Sequence, residues 1–368
     1  MSLIVDTLEV DRRATGTTRL VTEDLGDLAP GRVRFRVDRF AVTANTVTYA
    51  EMGDVLGYWG FYPTDDATWG RVPAMGWADV VASAHPEVEP GSRHYGWFPM
   101  AGHVDVEVRP TPTGLRDEGA HRAEHAAVYR TFEDSRTDPL YPDEADPEVR
   151  ADLEDRHALL RGLFLTGFLA DASFASRDWF GAEVAVVLSA SSKTAIGFAT
   201  CARARGAVRL VGVTSPGHVE AVEALGLYDE VVTYDDVASL PVVPTVAIDM
   251  AGDGAVVGAL HDRLGDHLGH SMVVGRTHND APPAAVTSGP EPELFFAPTA
   301  MEALRGDGAD LPSLLAASRR SLTDFVAGSR AWLAVERAHG PDEAAATWAD
   351  VHAGRVPPDV GRICSLHR

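Results

Sequence analysis

From residue 182 onwards, short apolar runs alternate with helical patterns, and this alternation constrains the fold more than any other feature of the chain. The runs AEVAVVLSA, VRLVGVTS, TVAIDMAG and HSMVVGRT are continuous, which is typical of strands buried on both faces of a parallel sheet. DEVVTYDD adds a short strand. The intervening segments SKTAIGFATCARARGA, PGHVEAVEALG and GAVVGALHDRLGD have the pattern of helices. This order predicts a doubly wound parallel sheet, an α/β fold.

The turn after the first of these strands is the first candidate site. Ligands of such sheets bind at the carboxyl ends of the strands, where this turn meets a helix N-terminus that favours phosphate. Here the turn is SASSKTA (Ser189–Ala195), so hydroxyl residues largely replace the usual glycines, and Lys193 is the only lysine of the chain. A P-loop is excluded, because Val187 and Ser192 stand at the two positions where that motif requires glycine. The predicted pyrophosphate contacts are Ser191, Ser192, Lys193 and Thr194. A solvated lysine in the first helical turn is the alternative for Lys193.

The end of the second strand indicates which dinucleotide the site prefers. An NAD site needs Asp or Glu there for the ribose 2′-hydroxyl, but Thr214 and Ser215 are neutral and the next acid is Glu220. A neutral, hydrogen-bonding end suits a 2′-phosphate, with Ser215 and His218 as donors. We therefore predict NADP(H) as the cofactor. Tyr234, at the end of the third strand, either closes over the ribose phosphate or packs in the core.

The first third of the chain has the period-two alternation of half-buried strands, in RVRFRVDRFAVT (Arg32–Thr43) and HVDVEVRP (His103–Pro110). Between them lies a stretch rich in Gly, Pro and aromatic residues. These aromatic residues are Tyr49, Tyr58, Trp59, Phe61, Tyr62, Trp69 and Trp77. Aromatic turns between short strands predict a partly open β-barrel with a lined mouth, suited to an apolar small molecule.

The remaining segments complete the predicted organisation. Residues 111–150 are polar and Pro-rich, and the stretch RTDPLYPDEADPE within them is predicted to be a surface loop, whereas residues 152–174 have a helical pattern. After the parallel sheet, the pattern predicts helices over about 311–339 and 342–353, and GRICSLH predicts a closing strand. The irregularly spaced His261, His267, His270 and His278 are expected at the surface.

Composition excludes several classes of partner. The net charge of −22 and the pI near 4.9 argue against nucleic acid and anionic membranes, which both favour a basic face. The apolar run near Leu159–Ala170 is too short and interrupted to span a bilayer, and the acidic start MSLIVDTLEVDRR does not resemble a signal peptide. Cys201 and Cys364 are too few for a disulfide framework. We expect a cytoplasmic protein with a small-molecule substrate and no nucleic-acid or membrane partner.

One short pattern suggests a metal. His121-Arg122-Ala123-Glu124-His125 matches the H-x-x-E-H motif of inverted zinc proteases, in which a helix places both histidines on one face. A five-residue pattern in a chain with 14 histidines arises easily by chance, so it favours no metal site by itself.

The order of these motifs along most of the chain resembles the medium-chain dehydrogenase/reductase superfamily, on its zinc-independent, quinone-oxidoreductase-like side. The segments concerned are VRFRVDRFAVTANTVTYA, LSASSKTAIG with ARARGAVRLVGVTS, VEALGLYDEVVTYDD, VAIDMAG and MVVGRTH. The Ser-Ser-Lys-Thr-Ala turn and FFAPT resemble a narrower, poorly characterised branch of unknown function. The resemblance implies a GroES-like barrel domain (1–155), a Rossmann NADP-binding domain (156–290) and a C-terminal segment (291–368) that returns to the barrel.

The resemblance also implies a chemistry. Zinc-dependent members carry Gly-His-Glu where this chain has Gly76-Trp77-Ala78, and they use an early cysteine, so no metal is expected. The segment near the nicotinamide maps to Asn45, with Tyr49 four residues later, on one face of an expected strand. Either Tyr49 or Tyr58 is a candidate donor to a developing enolate or alkoxide, or these aromatics only shape the pocket.

Three functions remain open at this point. The first is an NADP(H)-dependent, zinc-free oxidoreductase that reduces a small or medium carbonyl, enone or quinone. The second is a redox-neutral lyase of the retro-aldol type that uses bound NADP. The third is a nucleotide-binding protein without turnover. The resemblance further suggests a homodimer.

Overall fold

The computed structural model describes residues 3–250, 252–275 and 286–367. Its strands, in chain order, are β1 (Ile4–Asp11), β2 (Thr18–Asp24), β3 (Arg32–Val42), β4 (Trp69–Gly70), β5 (Pro73–Ser83), β6 (Arg93–Pro99), β7 (His103–Thr111), β8 (Gly114–Asp117), β9 (Thr131–Asp134), β10 (Val184–Leu188), β11 (Arg209–Thr214), β12 (Glu230–Thr233), β13 (Thr245–Asp249), β14 (Leu268–Val273), β15 (Glu293–Leu294), β16 (Ala334–His339) and β17 (Val360–Ser365). Its α-helices are α1 (Ala44–Glu51), α2 (Ala127–Arg130), α3 (Pro147–Ser176), α4 (Lys193–Arg205), α5 (Val219–Ala224), α6 (Gly254–Leu264), α7 (Ala297–Gly306), α8 (Leu311–Gly328) and α9 (Pro341–His352).

The chain folds into two compact units. The first comprises Met1–Leu159 and Leu333–Arg368, and the second comprises Leu160–Trp332. The segment 291–332, which the sequence assigned to a C-terminal part returning to the barrel domain, therefore belongs by its contacts to the second unit. The segment from residue 333 onwards belongs to the first.

The second unit contains a parallel sheet in the order β12-β11-β10-β13-β14-β15. Counted from its own first strand, the order is 3-2-1-4-5-6, which is that of a dinucleotide-binding doubly wound fold. All five residues of β10 and of β13 are buried, as continuous apolar strands in the middle of such a sheet must be. The chain adds β11 and β12 on one side of β10 and adds β13 to β15 on its other side. The expected ligand crevice therefore lies at the carboxyl ends of β10 and β13.

The first unit contains a β-barrel. Antiparallel pairing runs from β3 through β5, β6, β9, β8 and β7, and a further β3–β7 pairing returns to the starting strand. The barrel interior is filled by packed rings, among them Phe35, Phe98 and Phe132, whose centroids lie 5.0–5.4 Å apart. Full closure of the ring removes sheet edges, which agrees with a small stable barrel.

Two further groups of strands complete the first unit. The strands β17 and β16 continue the barrel sheet beyond β3, with β17 antiparallel to β3 and parallel to β16. A separate sheet in the order β2-β1-β4 begins with the antiparallel β1–β2 hairpin. Its buried Glu9 accepts hydrogen bonds from Arg19 and Arg71, so a paired carboxylate anchors the hairpin.

The structure corrects several element predictions. Residues 334–339 form β16 where a helix over about 311–339 was expected, because AVERAH pairs along β17. The polar segment 111–150 also contains the barrel strands β8 and β9, and most of the predicted loop RTDPLYPDEADPE lies between β9 and α3. Part of the predicted fifth strand, Arg276–Thr277, lies outside the described residues, as does His278.

Among the described residues, α3 alone is long and apolar enough, by length and composition, to cross a membrane. It has 30 residues, and 67% of its most apolar 18-residue window is buried inside the protein. The core helix of a soluble protein meets the same criterion, so this helix is weak support for a membrane span.

Candidate functional site

The carboxyl edge of the parallel sheet collects the residues that the sequence singled out in the second unit. Ser189 follows β10, Ser215 follows β11, Tyr234 follows β12 and Asp249 ends β13. Parallel strands end at one edge, so these side chains belong to one neighbourhood although up to 60 residues separate them along the chain.

The turn after β10 has a defined backbone conformation. Ser189 has a φ of +57°, in the left-handed region that non-glycine residues seldom adopt. The Ala190 N–H donates to the Val213 carbonyl at 3.0 Å and so ties the turn to β11. Ser192 is the N-cap of α4, since its hydroxyl accepts from the Ala195 N–H at 3.3 Å. The predicted sequence of hydroxyl residues therefore forms a strand-to-helix turn.

Lys193 and Thr194 are the first two residues of α4, and both are half-buried. Their N–H groups belong to the first helical turn, where the helix dipole favours an anion. The turn therefore has the donor set that a pyrophosphate needs: backbone N–H groups, hydroxyls and one ammonium.

A close approach between two helices fixes the position of α4. A Cβ atom built on Gly167 of α3 would lie 2.5 Å from the Phe198 nitrogen and 2.9 Å from the Thr194 carbonyl oxygen. A Cβ on Gly197 would lie 3.3 Å from the Phe164 Cα. Gly197 therefore allows α4 to pack closely against α3.

A short polar chain connects the first turn to the second. The Ser191 Oγ lies 3.3 Å from the His218 Nδ1, and the buried Thr214 donates its hydroxyl to the Ser191 Oγ at 3.4 Å. Ser215 is the N-cap of the short 3-10 turn that contains His218, and its carbonyl accepts from the His218 N–H. Ser191, Ser215 and His218 thus lie together, with no carboxylate between Thr214 and His218.

Tyr234 joins the same neighbourhood. It begins a 3-10 turn directly after β12 and hydrogen-bonds Ser189. Burial raises its pKa to about 12, so its hydroxyl stays protonated at neutral pH. Simple core packing does not account for this contact, because the Tyr234 hydroxyl reaches Ser189 in the turn after β10.

Two further residues, Tyr228 and Asp249, stabilise this edge of the sheet. Tyr228 packs its ring against Gly212, where a Cβ would lie 2.9 Å from the ring, and it donates to the Ala190 carbonyl at 3.1 Å. The buried Asp249 accepts from the Gly252 N–H through both carboxylate oxygens, at 3.1 and 3.2 Å, so it caps the backbone that follows β13. No local sequence pattern could have indicated Tyr228, because its partners Gly212 and Ala190 lie 16 and 38 residues away in the chain.

In the first unit, Asn45 and Tyr49 lie on α1 and not on a strand as expected. Thr43 and Thr46 form a reciprocal capping box, at 3.1 and 3.3 Å, which starts the helix directly after β3. Residues i and i+4 share a face of a helix as they do of a strand, so the expected proximity holds. The Asn45 side chain hydrogen-bonds the Tyr49 hydroxyl.

Tyr49 and Tyr58 belong to a cluster of buried aromatic side chains. Their ring centroids are 4.4 Å apart. The Tyr58 hydroxyl lies 3.3 Å from the Tyr129 hydroxyl, and the Trp97 Nε1–H donates to the Tyr49 hydroxyl at 3.3 Å. Burial raises the pKa of both Tyr49 and Tyr58, so both remain hydrogen-bond donors at neutral pH. We name Asn45, Tyr49, Tyr58, Trp97 and Tyr129 the phenol cluster.

The predicted aromatic mouth is more buried than expected. Tyr49, Tyr58, Trp59, Phe61, Tyr62 and Trp77 are all at most 7% exposed. Trp77, at the position where zinc-dependent relatives carry a ligand, donates its indole N–H to the Glu154 carbonyl at 2.8 Å. Its place in the barrel is that of a core residue.

The H-x-x-E-H pattern does not lie on one helix. His121 belongs to the 3-10 turn Ala120–Arg122, whereas α2 begins only at Ala127. The His125 Nε2 lies 3.0 Å from the Gly57 carbonyl oxygen, and its ring packs on Phe61. Within the described ranges, no group of three or more His, Cys, Asp or Glu side chains is arranged to hold a metal ion.

Solved structures are similar in fold to this chain over almost its whole length. One is a protein assigned as an NADPH:quinone reductase from Mesorhizobium loti (14% identity, TM-score 0.60, 99% of this chain and 100% of that one). Others are CurA from Vibrio vulnificus in complex with NADPH (12%, 0.59, 100% and 100%) and a mutant enoyl thioester reductase from Candida tropicalis (12%, 0.57, 99% and 100%). The likeness confirms the predicted fold class, a GroES-like barrel with a Rossmann sheet.

The family follows from the sequence itself. Residues 40–357 match the family model described as protein of unknown function (DUF2855), and the chain belongs to this family. No curated protein matches the sequence. The predicted resemblance to a poorly characterised branch agrees with this membership.

Proposed function

We propose that the protein is an NADP(H)-dependent oxidoreductase that reduces a carbonyl, enone or quinone of a small to medium apolar substrate. The observation that carries the proposal is the donor set at the carboxyl edge of the parallel sheet, where the Ser189–Thr194 turn and the Ser215–His218 turn are connected through the Ser191–His218 contact. The neighbours support it, because proteins of this fold include an assigned NADPH:quinone reductase, an NADPH complex and an enoyl thioester reductase.

The residues present fit the pyrophosphate of the cofactor. The N-terminus of α4 follows β10 directly, with Ser192 as its cap and Lys193 as its first residue. Lys193 supplies a slim point charge, and the neighbouring Ser191 and Thr194 supply hydroxyl donors. Because Gly167 and Gly197 let α3 approach α4 closely, this helix terminus has a fixed position.

The second turn fits the 2′-phosphate better than a free 2′-hydroxyl. A 2′-hydroxyl is usually bound by a carboxylate at the end of the second strand, and Ser215 stands there instead. Ser215, His218 and the Tyr234 hydroxyl supply hydrogen-bond donors without negative charge. We therefore assign Ser215, His218 and Tyr234 to the ribose phosphate.

Bound NADPH supplies a hydride to an electrophilic carbon of the substrate. The oxygen on which negative charge then develops needs hydrogen-bond donors, and donors fixed in advance are the most effective. In the first unit, which we propose as the catalytic domain, Asn45, Tyr49 and Tyr58 supply an amide and two protonated phenols. The second unit is proposed as the NADP-binding domain.

Zinc has no place in this proposal. Trp77 is fully buried and gives its only polar hydrogen to the Glu154 carbonyl, so the position used for a ligand in zinc-dependent relatives is a core position here.

We further propose a cytoplasmic homodimer that binds a small-molecule substrate. The net charge of −22 is in keeping with a protein that binds neither nucleic acid nor membranes.

The test has two parts. Calorimetric titration of the purified protein with NADPH and NADH should show binding of NADPH at least about tenfold tighter than of NADH. Loss of NADPH absorbance should then occur with at least one member of a panel of aldehydes, enones, enoyl thioesters and quinones.

Cleavage products without net NADPH consumption would favour the redox-neutral lyase. Tight NADPH binding with no product from any substrate would favour a nucleotide-binding protein, and no binding of either nucleotide would refute all three.

A further inference from the structure

The turn after β10 is held by a side chain from a distant part of the second unit. Tyr228 lies between α5 and β12, and its hydroxyl donates to the Ala190 carbonyl oxygen at 3.1 Å. A carbonyl oxygen only accepts, so the direction of this hydrogen bond is fixed. Burial raises the pKa of Tyr228, so its hydroxyl is protonated and can donate at neutral pH.

Tyr228 is itself held against β11. Gly212 leaves the room for its ring, because a Cβ there would lie 2.9 Å from the ring Cγ and 3.0 Å from the Ala190 Cβ. The next residue, Asp229, donates its backbone N–H to the Leu210 carbonyl at 2.8 Å, and its carboxylate accepts from the Leu210 N–H at 2.9 Å. The strand and the ring contact therefore give the Tyr228 hydroxyl a fixed position.

The bond from Tyr228 determines where the neighbouring amide points. The Ala190 carbonyl and the Ser191 N–H belong to one peptide unit, and in a trans peptide these two groups point in opposite directions. No peptide bond of the described residues is cis. Since Tyr228 holds the carbonyl on one side, the Ser191 N–H points to the other side, away from the phenol.

The Ser191 N–H is also the amide that the turn itself does not use. The Ala190 N–H donates to the Val213 carbonyl at 3.0 Å, and the Ser192 N–H donates to the carbonyl of Ser189 at 2.9 Å. Within the described ranges, no hydrogen bond uses the Ser191 N–H. A backbone N–H takes a partner from protein, water or ligand. Ser191 is half-buried and directly precedes the N-cap of α4, so this donor lies at the helix terminus proposed for the pyrophosphate.

We infer that Tyr228 is a positioning residue of the cofactor site, and that its bond to the Ala190 carbonyl directs the Ser191 N–H at the pyrophosphate of NADP(H). This assignment rests on the part of the proposed function that places NADP(H) at the start of α4. Tyr228 acts through the peptide unit and not through a contact with the cofactor. The peptide unit is then oriented before the dinucleotide binds, and a donor fixed in advance loses less conformational freedom on binding.

The experiment compares the wild-type protein with Tyr228→Phe and with a control, Tyr141→Phe. Phenylalanine keeps the ring and removes only the hydroxyl. Calorimetric titration should give an NADPH dissociation constant about tenfold higher in Tyr228→Phe than in the wild type, the effect of one misplaced hydrogen bond to a charged group. Tyr141, in the first unit, is also half-buried, and its hydroxyl donates to the Glu154 carboxylate at 2.9 Å. The control should keep the wild-type dissociation constant.

Two readouts separate this positioning role from a merely structural one. With para-aminophenylalanine in place of Tyr228, the ring keeps an N–H donor at the same position, and the wild-type affinity for NADPH should return. Adenosine 2′-monophosphate carries the ribose phosphate without a pyrophosphate, so it should bind Tyr228→Phe as tightly as it binds the wild type. A general distortion of the second unit would weaken the binding of both ligands.

A further measurement needs no change at Tyr228. In spectra of wild-type protein with isotope-labelled serine amides, the Ser191 signal can be assigned by its loss in Ser191→Ala. This signal should move when the protein is saturated with NADPH, because the amide gains a charged acceptor.

The outcomes are distinct. An unchanged NADPH dissociation constant in Tyr228→Phe overturns the role of Tyr228, as does equal weakening of NADPH and adenosine 2′-monophosphate, or a failure of para-aminophenylalanine to restore the affinity. If Tyr228→Phe does not fold, the Ser191 signal decides, and a signal that NADPH leaves unmoved overturns the assignment. Absence of NADPH binding by the wild-type protein overturns the proposed function and this assignment with it. Binding without turnover overturns only the proposed reaction.

Discussion

Gly167 of α3 lies so close to Phe198 of α4 that a Cβ atom on the glycine would be 2.5 Å from the backbone nitrogen of Phe198. Backbone atoms of a helix cannot move aside as a flexible side chain can. The contact therefore fixes the distance between α3 and α4, and with it the position of the helix terminus that carries Lys193.

Gly167→Ala should destabilise the second unit by about 1–3 kcal/mol, because the added methyl group must push two helices apart. Chemical denaturation monitored by circular dichroism measures the change. Gly258→Ala, on α6, is the matched control: it lies within a helix with no atom within 4 Å of the added group. Alanine should stabilise there by about 0.5–1 kcal/mol. Equal effects of the two substitutions would contradict the packing role of Gly167.

Lys193→Met should weaken NADPH binding by roughly tenfold to a hundredfold, the effect of one charge-assisted hydrogen bond of about 1.5–3 kcal/mol. Methionine is nearly as long as lysine, and it removes the ammonium together with its charge and its N–H donors. Lys193→Arg keeps the charge and should lose less. Calorimetric titration checks both variants, and an unchanged affinity in Lys193→Met would show that the ammonium does not contact the cofactor.

Ser215→Asp should shift the preference from NADPH towards NADH by at least about tenfold. The new carboxylate would repel a 2′-phosphate and accept from a free 2′-hydroxyl. Asparagine has nearly the same shape as aspartate but no charge, so Ser215→Asn should shift the preference much less. If both variants keep the wild-type ratio of dissociation constants, the ribose phosphate is bound elsewhere.

The sequence predicts most of the second unit because its signals are local. The strands β10, β11 and β13 are continuous apolar runs, and Ser192 and Gly206 mark the two ends of α4 as cap residues do. The predicted site residues Ser191, His218 and Tyr234 come together because the topology places the ends of parallel strands at one edge.

Other features depend on partners distant in sequence and escaped prediction. His261 was expected at the surface, yet it is fully buried, because its ring nitrogens lie 3.0 Å from the Ser271 hydroxyl and 2.9 Å from the Ser288 carbonyl oxygen. β16 has a helical pattern and is a strand because β17 pairs with it. Trp97 looks like an ordinary strand residue until the fold brings Tyr49, 48 residues away, to its indole.

Both cysteines should react slowly with a thiol reagent in the native protein. Burial raises the pKa of the Cys201 thiol to about 12, with Asp171 adding to the shift, and burial raises that of Cys364 to about 12 as well. Only the thiolate attacks a disulfide reagent, so little reactive species exists at pH 8. Titration with a chromogenic disulfide should detect almost no reactive thiol in the folded protein and two thiols per chain after unfolding. Rapid reaction of one equivalent in the native state would contradict the burial of that thiol.

The stability of the protein should fall as the pH decreases from about 6.5 towards 4. Burial and the neighbouring His367, whose ring centroid is 5.5 Å away, lower the pKa of His103 to about 4. The unfolded chain, with an ordinary histidine pKa near 6.5, then binds a proton that the folded chain does not, so acid favours unfolding across this window. His103→Gln removes the group, and its unfolding free energy should depend less steeply on pH between 4 and 6.5. Above pH 7.5 both histidines are neutral in both states, and the difference between variant and wild type should be constant. An equally steep dependence in His103→Gln would show that other groups cause the acid sensitivity.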